Sequence, residues 1–537
     1  MHVQLPGGIR LSGWRASAAA VLAVVTVLVL VLTLLGRLPG QGGGNVAAAG
    51  PSTRGATSDS PSGSPSSGTP TPTPSSGGTG AATAVLPGVD AAARTPTSAG
   101  LASQLGALLG SADLGRHVGA AVVDVATGRL IYGKNAQGAF APASTNKLLT
   151  ASAALATLGP DYRIQTKVVA GSTSGQIVLV GGGDPTLSTS RPAGFVPAPA
   201  SISDLAAATA AALRAAGVKT VTLGYDTTLF TGPRTAPNWP ATYLSTGVVS
   251  PITALSLDEG RVGAIVEGTA PRVPDPPMSA AKAFARRLIA LGIIVTGSPS
   301  AATAPDAPAT PSPAASSPTA SSPGAGSAAP ASGGSSGSPT PTPPAAGTTL
   351  AVVRSPALAD LVGWMLSTSD NDLAEAVAHL TALAGGEPAS FEGGVAAVTK
   401  SLGTLGLPVA QLRLYDGSGL TGSTQVAPAV LGQVLSVAAT PGHPRLRSML
   451  TGLAVAGFSG SLETRFEDPT TRRAAGLVRA KSGTLSAVSA IAGTVVDADG
   501  RVLAFVFLAD EVPAGGTLAA REALDRLATA VAGCGCR

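Results

Sequence analysis

Cysteine and histidine are nearly missing from this chain of 537 residues, which holds only Cys534 and Cys536, and only His2, His117, His379 and His443. Neither set has metal-ligand spacing, and a metal centre wants three or four such ligands, so no metal is expected. No cofactor is expected either. The one glycine-rich turn, Gly181-Gly182-Gly183-Asp184-Pro185-Thr186-Leu187, lacks the Gly-Lys-Ser/Thr ending of a phosphate loop. Charge is sparse as well, at 12% charged residues and a net +5 spread over the whole length without a basic block. That excludes nucleic acid as a partner. Lysine is scarcer still, because only seven of the 34 basic residues are lysine. Where arginine meets most needs for positive charge, a retained lysine suggests an amine that must titrate.

Two stretches lack the apolar residues that a core requires. Residues 37–96 and 298–347 are dominated by Gly, Ser, Thr, Pro and Ala, including Thr69-Pro70-Thr71-Pro72-Thr73-Pro74. Such sequence does not bury enough apolar surface to offset its ordering entropy, so both stretches read as disordered, one as a tether and one as an insertion between folded segments. Only one long hydrophobic run exists, from Ala16 to Leu35, preceded by Arg10 and Arg15. Twenty residues at about 1.5 Å each span the roughly 30 Å core of a bilayer. The basic flank places residues 1–15 in the cytoplasm, residues 16–36 in the membrane as a retained anchor, and the remainder outside. The competing reading is a cleaved signal peptide and a secreted protein.

The folded part is read from periodicity. Gly119 to Asp124 and Arg129 to Tyr132 flank Ala126-Thr127-Gly128 as a β-hairpin. Helices are expected at Asp204–Ala216, Ser279–Leu291, Ser355–Leu366 and around Val430–Ala438. A strand begins at Leu477, strands at Ile491–Val496 and Val502–Leu508 form a hairpin, and Thr517–Ala532 closes the chain as a helix. The fold class is therefore α+β, an antiparallel sheet with helices at both ends of the sequence.

The chemistry begins at Ser144-Thr145-Asn146-Lys147. Positions three apart on a helix are neighbours, so the Ser144 hydroxyl can pass its proton to the Lys147 amine if burial holds that amine neutral. Taken singly, this is a serine cap followed by a solvated lysine. A chain with 52 serines and seven lysines is expected to hold roughly one such pair by chance, and a second, Ser279/Lys282, does occur; there Ser279 reads as a helix cap. Two further motifs follow in order, Ser369-Asp370-Asn371 and Lys481-Ser482-Gly483. For Ser369 the plain reading is again a cap, and for Lys481 an edge-strand charge. Gly483 beside it would let a ligand approach the backbone.

Together, in this order, the three motifs resemble the penicilloyl serine transferases. The long insertion between the first two, with the Asp184 turn, Glu375, Asp416-Gly417-Ser418-Gly419-Leu420 and Lys481-Ser482-Gly483-Thr484-Leu485, resembles the D-alanyl-D-alanine carboxypeptidase/endopeptidase family, the class C low-molecular-mass penicillin-binding proteins. The resemblance implies a β-lactamase/transpeptidase-like domain over 97–165 and 348–537, with a helical subdomain and a mainly β inserted domain over 166–297. It implies a serine-type hydrolase acting on peptidoglycan stem peptides and inhibited by β-lactams. Ser144, Lys147, Ser369, Asn371 and Lys481 would be catalytic, with Ser482, Gly483 and Thr484 binding the substrate carboxylate or forming the oxyanion hole. A β-lactamase or esterase on the same scaffold and an inactive cell-wall-binding protein are the other readings. No Glu-x-x-x-Asn occurs in the chain to position a deacylating water in the manner of class A β-lactamases.

Overall fold

The computed structural model describes residues 92–189, 197–263, 268–307 and 343–535. The expected anchor at 16–36, the segment 1–15, and most of the tracts 37–96 and 298–347 lie outside the described residues. Among the described residues no helix is long and apolar enough to cross a membrane.

One six-stranded antiparallel sheet carries the fold, in the order β2-β1-β12-β11-β10-β9. Its strands are β1 (Val118–Asp124), β2 (Arg129–Lys134), β9 (Ala454–Val455), β10 (Arg479–Leu485), β11 (Val488–Val496) and β12 (Val502–Ala509). The run of apolar residues in β12 is buried on both faces. Leu503, Phe505, Phe507 and Ala509 enter one core, and Ala504, Val506 and Leu508 enter the other, as the two-residue period of a strand requires. The first core is closed by α1 (Ser98–Leu105) and by α9 (Thr517–Ala532), which contributes Leu524, Leu527 and Val531.

The second core is helical and centres on α2 (Lys147–Thr157), whose residues Lys147 to Leu155 are all buried. A helix covered on every side is a central helix, and here α5 (Leu358–Thr368), α6 (Asn371–Ala384), α7 (Phe391–Thr404) and α8 (Pro428–Ala439) do the covering. Lys147 is therefore carried into the interior by the apolar faces of its own helix.

The inserted region differs from the expectation of a mainly β domain. Its sheet runs β6-β5-β4-β3-β8, with β7 also on β5, and it is mixed. The strands are β3 (Gln165–Ala170), β4 (Gln176–Val180), β5 (Thr220–Asp226), β6 (Ile294–Val295), β7 (Ser300–Ala301) and β8 (Thr349–Arg354). β4 and β5 are parallel, and a parallel pair needs a crossover, which α3 (Ile202–Ala215) provides. A second long helix, α4 (Pro276–Ala290), shares its core, so the region is α/β in composition. Its limits shift too. Ser300–Ala301 pair with β5 inside the tract expected to lack order, and β8, placed by sequence in the catalytic part, pairs with β3. Ser279 does not cap its helix: Asp275 stands at the N-cap position, four residues earlier. Its partner in the decoy motif, Lys282, is exposed.

Candidate active site

Ser144 lies on a 3₁₀ turn, Ala143–Asn146, and α2 begins at Lys147. Three residues per turn place i and i+3 almost in line, so the pairing expected of a helix is kept, and tightened, by the turn. Lys147 Nζ donates to Ser144 Oγ at 3.0 Å, to Asn371 Oδ1 at 2.7 Å and to the Ser418 carbonyl at 2.9 Å. Three acceptors match the three protons of an ammonium. Burial pushes the lysine down to about 8, against the pull of Glu375, Asp370, Asp416 and Asp372.

Two of those carboxylates, Asp416 and Glu375, hold the Asp416-Gly417-Ser418-Gly419 turn. Asn146 Nδ2 and Thr150 Oγ1 donate to its carbonyls, and Glu375 accepts from the amides of Gly417 and Ser418 at 2.9 and 2.8 Å. The turn thus aims the Ser418 carbonyl at the amine. Gly419 has φ +80° and packs so closely that a Cβ there would stand 2.0 Å from the Ala143 carbonyl oxygen. Burial and the Asp416 charge raise the Glu375 carboxyl to about 8.

Ser369 and Asn371 come from the junction of α5 and α6. The cap of α6 is Asp370, which accepts from the Leu373 amide at 2.7 Å, so Ser369 is not the cap that its sequence context suggests. Ser369 instead ends α5 in a left-handed conformation, φ 66° and ψ 32°. This backbone costs on the order of 1 kcal/mol and is held where it turns the serine into the cleft. Asn371 Nδ2 donates to the Val248 carbonyl at 2.9 Å, which fixes the amide so that its oxygen faces Lys147.

Lys481, Ser482, Gly483 and Thr484 lie on β10, beside the serine turn. Lys481 is fully buried and donates to the Ser482 carbonyl at 2.6 Å. Burial, then the charges of Lys147 and Arg465, hold its amine well below the usual lysine range. It is not an exposed edge charge: β9 pairs only with Arg479 and Ala480, and Lys481 just beyond them is fully buried. Gly483 makes no room for a ligand. A Cβ there would stand 2.8 Å from the Pro142 carbonyl oxygen and 3.0 Å from the Ser144 nitrogen, so the close approach is by the chain's own serine turn. Ser482 Oγ donates to Ser461 Oγ at 3.0 Å.

A cavity of about 430 Å³ joins these pieces. Ser144, Ser369, Asn371, Ser482 and Thr484 line it, while the lysines and Gly483 stand behind that wall. Tyr243, Val248, Ser461, Ser486 and Arg521 also line it, and no motif in the sequence singles them out. Among the described residues no group of three or more His, Cys, Asp or Glu is arranged to hold a metal ion.

Residues 101–271 and 337–531 match the D-Ala-D-Ala carboxypeptidase 3 (S13) family. A carboxypeptidase of Mycobacterium tuberculosis is 35% identical over 457 residues, 84% of this chain and 87% of the relative. Carboxypeptidase DacB of Mycolicibacterium smegmatis is 35% identical over 454 residues, 83% of this chain and 87% of its own length. Penicillin-binding protein 4 of Haemophilus influenzae superposes with a TM-score of 0.60 over 79% of this chain and 97% of its own, at 21% identity, which establishes a shared transpeptidase-like α+β fold. With two-thirds of the chain inside one family and relatives matched over more than four-fifths of both chains, the chain belongs to the D-Ala-D-Ala carboxypeptidase family S13, the family that its three ordered motifs resemble.

Proposed function

We propose that Ser144 is the nucleophile of a serine-type D-Ala-D-Ala carboxypeptidase acting on peptidoglycan stem peptides, and that β-lactams acylate the same oxygen. The observation that carries this reading is the buried Lys147 amine, 3.0 Å from Ser144 Oγ and lowered to about 8. A neutral amine there accepts the hydroxyl proton as Oγ bonds to the carbonyl carbon of the penultimate D-alanine. The backbone amides of Ser144 and Thr484 receive the oxyanion, each such donor being worth about 3 kcal/mol of barrier. The C–N bond then breaks, a proton passes to the leaving amine through Ser369, and D-alanine departs. Water repeats the sequence on the acyl-enzyme and frees Ser144.

Asn371 acts here by holding the amine rather than by orienting the substrate, since both ends of its amide are engaged within the protein. Lys481 keeps the two-lysine site short of a proton, because two ammonium groups in one buried space repel. Ser482 offers its hydroxyl, paired with Ser461, to the substrate carboxylate. Residues 16–36 serve as a membrane anchor that keeps this site on the extracytoplasmic side. The test is labelling by a fluorescent penicillin with mass spectrometry of the adduct. The label is expected on Ser144 and absent from a folded Ser144→Ala variant; a wild-type protein that never labels, or labels elsewhere, overturns the reading.

A further inference from the structure

The residue that a D-Ala-D-Ala carboxypeptidase releases carries a free carboxylate beside the scissile amide, and an accessible cation in the cleft could read that charge. Neither motif lysine serves. Lys147 and Lys481 are each fully buried, donate to acceptors inside the protein, and stand behind the cleft wall. Among the described residues that line the cavity, one carries a charge, and it is Arg521. It projects from the second turn of α9, far in sequence from every motif, and lines the cavity that Ser461, Ser482, Thr484 and Ser486 also line.

We propose that Arg521 binds the terminal carboxylate of the substrate, together with the hydroxyls of Ser482 and Ser461. The proposal rests on the carboxypeptidase reading above. Four observations bear on it. The nearby carboxylate, Asp525, is already taken by Arg465, which donates to both of its oxygens. Arg521 makes no salt bridge among the described residues. Burial and the Arg465 charge press on the Arg521 cation more than Asp525 relieves it. It also has space to move, because it lines a second cavity, of about 640 Å³, whose wall carries Glu467, Asp468 and Glu522 as well as Leu518. A planar fork suits a carboxylate, which accepts two parallel hydrogen bonds.

The test compares ratios, so that loss of folded protein cancels. The full chain, Arg521→Gln and Arg521→Lys are assayed on one peptide ending in D-Ala-D-Ala and on the same peptide ending in a carboxamide. Acylation by benzylpenicillin and by its methyl ester is measured in parallel. The wild-type preference for carboxylate over amide should fall by about 10- to 100-fold in Arg521→Gln, mainly through KM, and recover in part in Arg521→Lys. Equal losses on both substrates, or an undiminished preference, overturn the proposal. If the wild type cleaves neither peptide, the carboxypeptidase reading fails, while the acid-to-ester ratio for penicillin still decides the role of Arg521. A wild type that no penicillin form acylates removes both.

Discussion

A buried lysine hydrogen-bonded to a hydroxyl is a base whose strength is set by its surroundings. Burial lowers Lys147 to about 8, while Glu375 is the largest pull in the opposite direction. The amine must be neutral to act, so the acylation rate should rise with pH through about 8 and level off above it, as stopped-flow labelling can follow. Glu375→Gln removes an attraction that favours the ammonium, and the midpoint should move to lower pH. A midpoint unchanged by this substitution would mean that Glu375 acts only through the turn it holds. Lys147→Met should leave a folded protein whose acylation is slower by at least about 100-fold, the usual loss when a positioned base is removed.

Elements, rather than single residues, bring the serine and the strand lysine together. The packing of β10 on the serine turn depends on the absence of a side chain at Gly483. Gly483→Ala should push the two apart by a few tenths of an ångström and slow acylation by about 10- to 100-fold, since small displacements of reacting groups are costly. Thermal melting should change little beside that loss. Gly419→Ala is harsher, as it adds a Cβ on a left-handed backbone against the Ala143 carbonyl, and should lower the melting temperature as well. Patterning revealed the elements whose apolar periods are local. The strands β10 to β12 and the helix Thr517–Ala532 appear where expected. The three motifs meet in one cleft for the same reason, being short and chemically distinctive. Arg521, Ser461, Tyr243 and Val248 had no such signal, because each reaches the cleft only through the tertiary path of its element. The mixed sheet of the insertion was equally silent: parallel pairing is a relation between distant segments, and nothing in β4 alone announces β5 as its neighbour.

At the scale of the molecule, the insertion and the catalytic part are tied by buried charge. Arg272 pairs with Asp372 at 3.0 Å with both side chains 3% exposed, and Asp372 also accepts from the Ser250 amide at 2.8 Å. Arg272→Met leaves that carboxylate buried without its cation and should cost about 3 to 5 kcal/mol in urea unfolding. It should also slow acylation, because Asp372 adjoins Asn371. Buried carboxyls shape the pH dependence of the whole. Burial raises Asp184 to about 6, and its Oδ2 has no partner among the described residues. A raised carboxyl binds its proton more tightly in the folded chain, so its contribution is fully present below about pH 4 and is lost as pH rises through 6. Wild type should lose on the order of 2 to 3 kcal/mol of stability relative to Asp184→Asn as pH rises across that window.

The pairing of β1 with β12 has a consequence for biogenesis. His117 and Asp510, at one end of that pairing, are 393 positions apart in the chain. Until the final strand has left the ribosome, β1 has a naked edge and the central helix has no finished sheet to rest on. A nascent chain therefore stays open until β12 emerges, and a truncation before Val502 should yield a polypeptide that penicillin cannot mark.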